Sequence, residues 1–141
     1  MVLSAHFWIS IGVSLLCGSI VGIERELRGK PTGMRTCVLI CLGTALFVRL
    51  GSLMAASSDK GDASRVLGQV VTGIGFLGAG VIMSRGDTVH GVTTASVVWI
   101  LAAIGALIGA GEFMAAISVA AVAVATLSLL DFVERAIQKR R

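Results

Sequence analysis

Five apolar runs, at about 5–23, 36–56, 66–84, 92–110 and 113–130, dominate this chain and leave only short polar connections between them. A helix of about 19 residues rises about 28 Å, which matches the hydrocarbon core of a bilayer. Only 14% of the 141 residues are charged, against 55% hydrophobic. A soluble domain carries about 25% charged residues to coat its exterior, so lipid must be the solvent here. The expected fold is all-α, a polytopic bundle of about five transmembrane helices in one transmembrane domain spanning 1–141. A signal peptide does not fit the first run, because no positive charge precedes it and four more runs follow.

The connections set the orientation. Arg25, Arg28, Lys30 and Arg35 lie in the first loop and Arg85 in the third. Arg135, Lys139, Arg140 and Arg141 lie in the tail. With five crossings these nine basic residues share one side, against Lys60 and Arg65 on the other, which predicts an outside N-terminus and a cytoplasmic C-terminus. Phe7, Trp8 and Phe113 then fall at the outer interface. The net charge of +4 is a topology signal, since the basic residues form no stripe interleaved with aromatics, and nucleic acid is not expected as a partner. Lys30-Pro31-Thr32-Gly33 has the residues of a type I turn. The third span is rich in glycine, so a broken or re-entrant segment is the alternative there. The charge balance favours a full crossing.

Glycine makes up 18 of the 141 residues, about twice the usual share. In lipid, apolar burial does not drive helices together and small residues four apart let backbones approach. Ser10, Ser14, Gly18 and Gly22 make such a stripe on the first helix. Gly75 and Ala79, with Gly68, Thr72 and Gly80, do so on the third. Ala102, Ala106 and Ala110 lie beside Gly105 and Gly109 on the fourth. These stripes predict a tight bundle, and a homo-oligomer is a further use for them. Gly73-Ile74-Gly75-Phe76-Leu77-Gly78 matches the dinucleotide pattern G-x-G-x-x-G, but it lies inside an apolar run with no strand before it, so no cofactor is expected. Cys17, Cys37 and Cys41 read as small residues at helix contacts.

Ionisable and polar groups at membrane depth are candidates for function. Arg49 lies in the second span and can snorkel outward toward Glu112, Asp59 and Asp62. Gln69 and Thr72 are expected to face other helices, either as interhelical hydrogen bonds or as the lining of a polar path together with Glu24. Glu26 continues the Ser10-Ser14-Gly18-Gly22 stripe and is expected to point at the bundle. Glu24 and Glu26 could hold Mg²⁺ through its water shell or pair with Arg28, Lys30 or Arg35, and the many basic neighbours favour salt bridges. Asp62 and Arg65 flank the start of the third helix, where an acid suits the helix dipole. His6 and His90 fall on opposite sides. There is no nucleophile–base pair, zinc cluster or phosphate loop, so the chain does not read as an enzyme.

Several motifs resemble the MgtC/SapB family. Glu24-Arg25-Glu26-x-x-Gly29-Lys30-x-x-Gly33-x-Arg35-Thr36 is similar to its first cytoplasmic loop. Asp62-x-x-Arg65-x-x-x-Gln69-Val70-Val71-x-Gly73-Ile74-Gly75-Phe76-Leu77-Gly78-Ala79-Gly80 resembles its most recognisable stretch. Gly91-x-Thr93-Thr94-Ala95-x-x-x-Trp99 and Ala102-Ala103-Ile104-Gly105 follow in the right order. The resemblance covers about residues 18 to 113. Cys37 stands where the family often has His, and the chain reads as a short member without the soluble C-terminal domain of many others. The resemblance implies a bacterial inner-membrane protein linked to magnesium homeostasis, low-Mg²⁺ adaptation and, in pathogens, virulence inside macrophages. It implies a non-enzymatic regulator that binds another membrane complex, the ATP synthase in the best-known member. The alternative is a transporter or channel for Mg²⁺ or another ion, with Gln69, Thr72 and Glu24 on its path.

Overall fold

The computed structural model describes residues 4–57 and 62–138, and the side chains of all of these except 85, 133–136 and 138. Asp59, Lys60, Lys139, Arg140 and Arg141 lie outside the described residues, as do the side chains of Arg85 and Arg135. Five helices are long and apolar enough to cross a membrane. They are α1 (Ala5–Leu27), α2 (Met34–Ala56), α3 (Ala63–Val81), α4 (Val92–Ala110) and α5 (Phe113–Gln138).

The ends differ from the expected spans for local reasons. The helix α1 runs through Leu27, so Glu24, Arg25 and Glu26 are helical and not loop residues. The helix α3 begins early because Asp62 caps it, its carboxylate accepting from the Ser64 N–H at 2.9 Å. It is one continuous helix, which removes the broken-segment alternative. It stops at Val81, and the end of the expected span is instead a two-stranded hairpin. Strands β1 (Met83–Arg85) and β2 (Thr88–His90) pair antiparallel, Ser84 opposite Val89. Gly86 turns the chain at a φ of +58°, as the first centre of a tight hairpin favours.

The heart of the bundle is α1 against α2 and α2 against α4. A side chain at Gly18 would meet Val38 Cα at 2.6 Å, and one at Gly22 would meet Met34 Cα at 2.5 Å. At Gly105 and Gly109 the obstacles are the carbonyl oxygens of Cys41 and Ala45, at 2.5 and 2.6 Å. These four glycines let backbones touch, the packing that small residues provide in lipid. Cys17, Cys37 and Cys41 are buried among Val21, Val98, Leu101, Ile104 and Ile108, as small core residues. Ser10 and Ser14 are buried too, their hydroxyls donating to the His6 and Ser10 carbonyls one turn back.

The third stripe departs from expectation. In α3 only Ile74 is buried, and nothing lies within 4 Å of a side chain placed at Gly68, Gly73, Gly75 or Gly80. Gly78 alone touches a neighbour, Ala95, at an ordinary 3.8 Å. The helix leans on α2 and α4 through its Ile74 face, leaving a groove of about 600 Å³ along α2 and one of about 500 Å³ along α4.

Candidate functional site: a charged cleft at one end of the bundle

The last turns of α1 hold the most deeply placed charges, because the α1–α2 loop and the start of α4 close over them. Glu24 and Arg25 are 8% and 3% exposed. Arg28, one turn beyond Glu24, holds the Glu24 carboxylate through its Nε at 2.5 Å. Its Nη1 pairs with Asp131 on α5. The expected Glu24 salt bridge is therefore with Arg28. Asp131, one residue past the expected fifth span, is inside α5 and completes the network.

Arg25 joins the first loop to the fourth helix. Its Nη2 donates to the Thr94 hydroxyl at 2.6 Å and to the Pro31 carbonyl at 3.3 Å. The expected type I turn does not form, since Thr32 takes a φ of +69°. Type I and type II turns differ by a flip of the central peptide, whose carbonyl here belongs to Pro31. Donation from Arg25 explains that flip, and the Cys37 thiol holds the next carbonyl, that of Thr32, at 3.4 Å. A β-branched residue at positive φ is strained, so these contacts hold the loop in one shape.

Glu26 corrects another expectation. The small-residue stripe ends at Gly22, and Glu26 is exposed beyond the covered part of α1. Its carboxylate turns to the first turn of α2 and accepts from the Met34 N–H at 3.2 Å. Gly33, with no side chain, cannot cap that helix itself. Among the described residues Lys30 and Arg35 make no ion pair, and no three His, Cys, Asp or Glu side chains converge as a metal site. Two atoms, Glu24 Oε2 and Arg25 Nε, are buried without a hydrogen-bond partner.

Sequence motifs and geometry coincide best here, where Arg25 meets Thr94 across 69 residues. A family model described as the MgtC family matches residues 11–136. The chain belongs to the MgtC family. The "Putative magnesium transporter YhiD" of Escherichia coli K12 is 42% identical over 116 residues, covering 79% of this chain and 54% of the relative. "Protein MgtC" of Brucella abortus strain 2308 is 42% identical over 107 residues, 76% of this chain and 44% of the relative. An uncharacterized protein of Haemophilus influenzae is 35% identical over 135 residues, 91% of this chain and 57% of the relative. The chain thus spans about half the length of the curated relatives it matches. No solved structure gives a significant match. With five membrane-competent helices, this is a multi-pass bacterial membrane protein of the MgtC family.

Lys30, Gly91 and Thr93 also line that cleft, whereas the motif residues of α3 and Trp99 do not join it. Gln69 and Thr72 are exposed on α3, Thr72 donating only to the Gly68 carbonyl of its own helix at 2.9 Å. Glu24 lies on α1 in the charged cleft, and Gln69 lines a different groove, so among the described residues the two do not share one cavity. Gln69, Gly73 and Thr36 line the α2–α3 groove, and Trp99 lines the α3–α4 groove. Phe76 is 82% exposed. Arg65 is exposed, its backbone N–H donates to the Asp62 carbonyl at 3.3 Å, and its charge also favours the ionised Asp62 carboxyl. The Asp62 carboxyl itself is held below its ordinary pKa by the Ser64 hydroxyl and N–H. Gly91 takes a φ of +90°, and a side chain there would run into the Val81 carbonyl at 2.0 Å. Thr93 is exposed beside it.

At the opposite end Arg49 does not find the expected acids. Its guanidinium meets His6 Nδ1 at 2.9 Å and the Ser4 hydroxyl at 3.5 Å, while His6 packs on Phe113 with ring centres 5.0 Å apart. Of the three suggested partners, Glu112 and Asp62 make no ion pair with it, and Asp59 lies outside the described residues. A histidine at the head of the first span was the available signal for this contact.

Proposed function

We propose that this MgtC-family protein is a non-enzymatic regulator that acts in low-Mg²⁺ or intracellular stress by gripping another membrane complex, with the ATP synthase the candidate that the resemblance supplies. The observation that carries the reading is α3. Its glycines face open space, and its polar Gln69 and Thr72 lie outward with them. Lipid rewards large apolar side chains, whereas a facing helix rewards glycine and pairs with polar groups. The face is thus built for protein. The core of α1, α2 and α4 is closed by backbone contact and lined by apolar residues, which suits a scaffold better than a conduit.

The second reading is a Mg²⁺ or other ion transporter. The buried Glu24 carboxylate oxygen without a partner favours it, as does the name of the Escherichia coli relative. Flux of Mg²⁺ into liposomes carrying the purified protein and an internal indicator separates the two. The regulator gives no flux above empty liposomes. Robust flux that disappears in Glu24→Gln would make the protein a transporter.

A further inference from the structure

The charged cleft has an excess of unused donors. It has a volume of about 560 Å³ and lies between the α1–α2 loop, the start of α4 and the end of α5. The first intrahelical bond of α4 runs from the Ala95 N–H to the Gly91 carbonyl, and Gly91 offers no side-chain cap. The N–H groups of Val92, Thr93 and Thr94 are therefore left over at the positive end of a 19-residue helix. Arg25, 3% exposed, lines the same cleft with its Nε unpartnered. Among the described residues no carboxylate comes within ion-pair distance of Arg25 or of Lys30 on the rim. The two acids of the cleft, Glu24 and Asp131, both pair with Arg28, Glu24 through Oε1 while its buried Oε2 has no hydrogen-bond partner. Glu24 is the nearest negative charge to Arg25, but its ion pair goes to Arg28, so two cations of the cleft, Arg25 and Lys30, are left without an ion-pair partner among the described residues.

We propose that this cleft binds a phosphate-type oxyanion, delivered as the headgroup of an anionic phospholipid. Oriented helix N–H groups beside a guanidinium are the donors that a tetrahedral phosphate accepts from. Lipid is the favoured source because a groove between α1 and α5 opens beside the same Glu24 and Arg28. Its walls are Ile20, Ile23, Leu27 and Val124, an apolar track for an acyl chain. The cleft lies where α1 and α5 run out of their apolar stretch, at the depth of headgroups. The site does not depend on whether the protein is a regulator or a transporter.

The test uses the purified full chain. Lipid retention is measured by native mass spectrometry with phosphatidylglycerol against phosphatidylcholine, and melting temperature with inorganic phosphate against chloride. Two variants are compared with wild type. Arg25→Gln removes the buried cation. Thr93→Asp keeps the fold, since Thr93 is exposed and an acid suits a helix start, but it places a fixed negative charge among the donors. Phosphatidylglycerol is expected to be retained about tenfold better than phosphatidylcholine, a preference lost in both variants. Stabilisation by phosphate without lipid preference, abolished in Thr93→Asp, would keep the oxyanion site and move its source to the soluble anion. Equal retention of both lipids with no effect of phosphate would overturn the proposal, as would a Thr93→Asp variant that keeps the wild-type preference.

Discussion

The glycines of α1 and α4 and the glycines of α3 have the same chemistry and opposite surroundings. Gly18, Gly22, Gly105 and Gly109 press against the backbone of α2, so any side chain would have to displace a helix. Gly68, Gly73, Gly75 and Gly80 meet nothing within 4 Å. A glycine inside a helix costs about 1 kcal/mol against alanine, which the first group recovers in close packing. The second group meets no such packing among the described residues. The difference teaches that α1, α2 and α4 are shaped by each other, while the glycines of α3 fit the outside contact proposed above.

The comparison can be tested by substitution. The largest effect belongs to Gly105→Leu, where the new side chain meets the Cys41 carbonyl and the Thr44 side chain. Overpacking of this kind costs about 3 kcal/mol or more, read as a loss of folded protein or a large drop in melting temperature in detergent. Next comes the polar attachment of α4. Thr94→Val removes the hydroxyl that receives the buried Arg25 and should cost about 1–3 kcal/mol in the same assay. A fall much smaller than that would mean that Arg25 finds another acceptor.

A smaller effect is the cap of α3. The Asp62 carboxyl is held below its ordinary pKa by Ser64, so its stabilisation is fully present above the unfolded aspartate pKa of about 3.9 and is lost as pH falls through the folded value. Asp62→Asn should therefore flatten the acid side of the stability profile and leave its shape near neutral pH unchanged. The smallest effect is expected for Thr72→Val, whose hydroxyl bonds only its own helix, at about 0.5 kcal/mol or less. A loss comparable to that of Thr94→Val would give α3 an interior role and break the comparison.

What the sequence could reveal follows from the lipid solvent. Hydrophobic length marked five crossings, and the fourth span, 92–110, coincides with its helix. Local spacing also served well, as in the Ser10-Ser14-Gly18-Gly22 stripe and the Glu24–Arg28 pair. Hydropathy cannot tell an inward from an outward face when lipid is as apolar as a core. For that reason the α3 stripe read like the α1 stripe, although one is buried and the other open. The remaining misses concern chain reversal and distance. Thr32 took a conformation imposed by Arg25 and Cys37, and Glu26 left the stripe to cap α2. Asp131 meets Arg28 from 103 residues away. Each depends on how helix ends meet, which spacing along one helix does not encode.

The central claim, that the glycine face of α3 serves a contact outside the chain, is tested most directly on Gly75→Leu. Its melting temperature and its ability to restore growth of a deletion strain in low-Mg²⁺ medium are measured together, with Gly105→Leu alongside. The account predicts a melting temperature within about 2–4 °C of wild type and no restoration of growth, whereas Gly105→Leu loses both. A Gly75→Leu protein that unfolds like Gly105→Leu, or that restores growth in full, would contradict it.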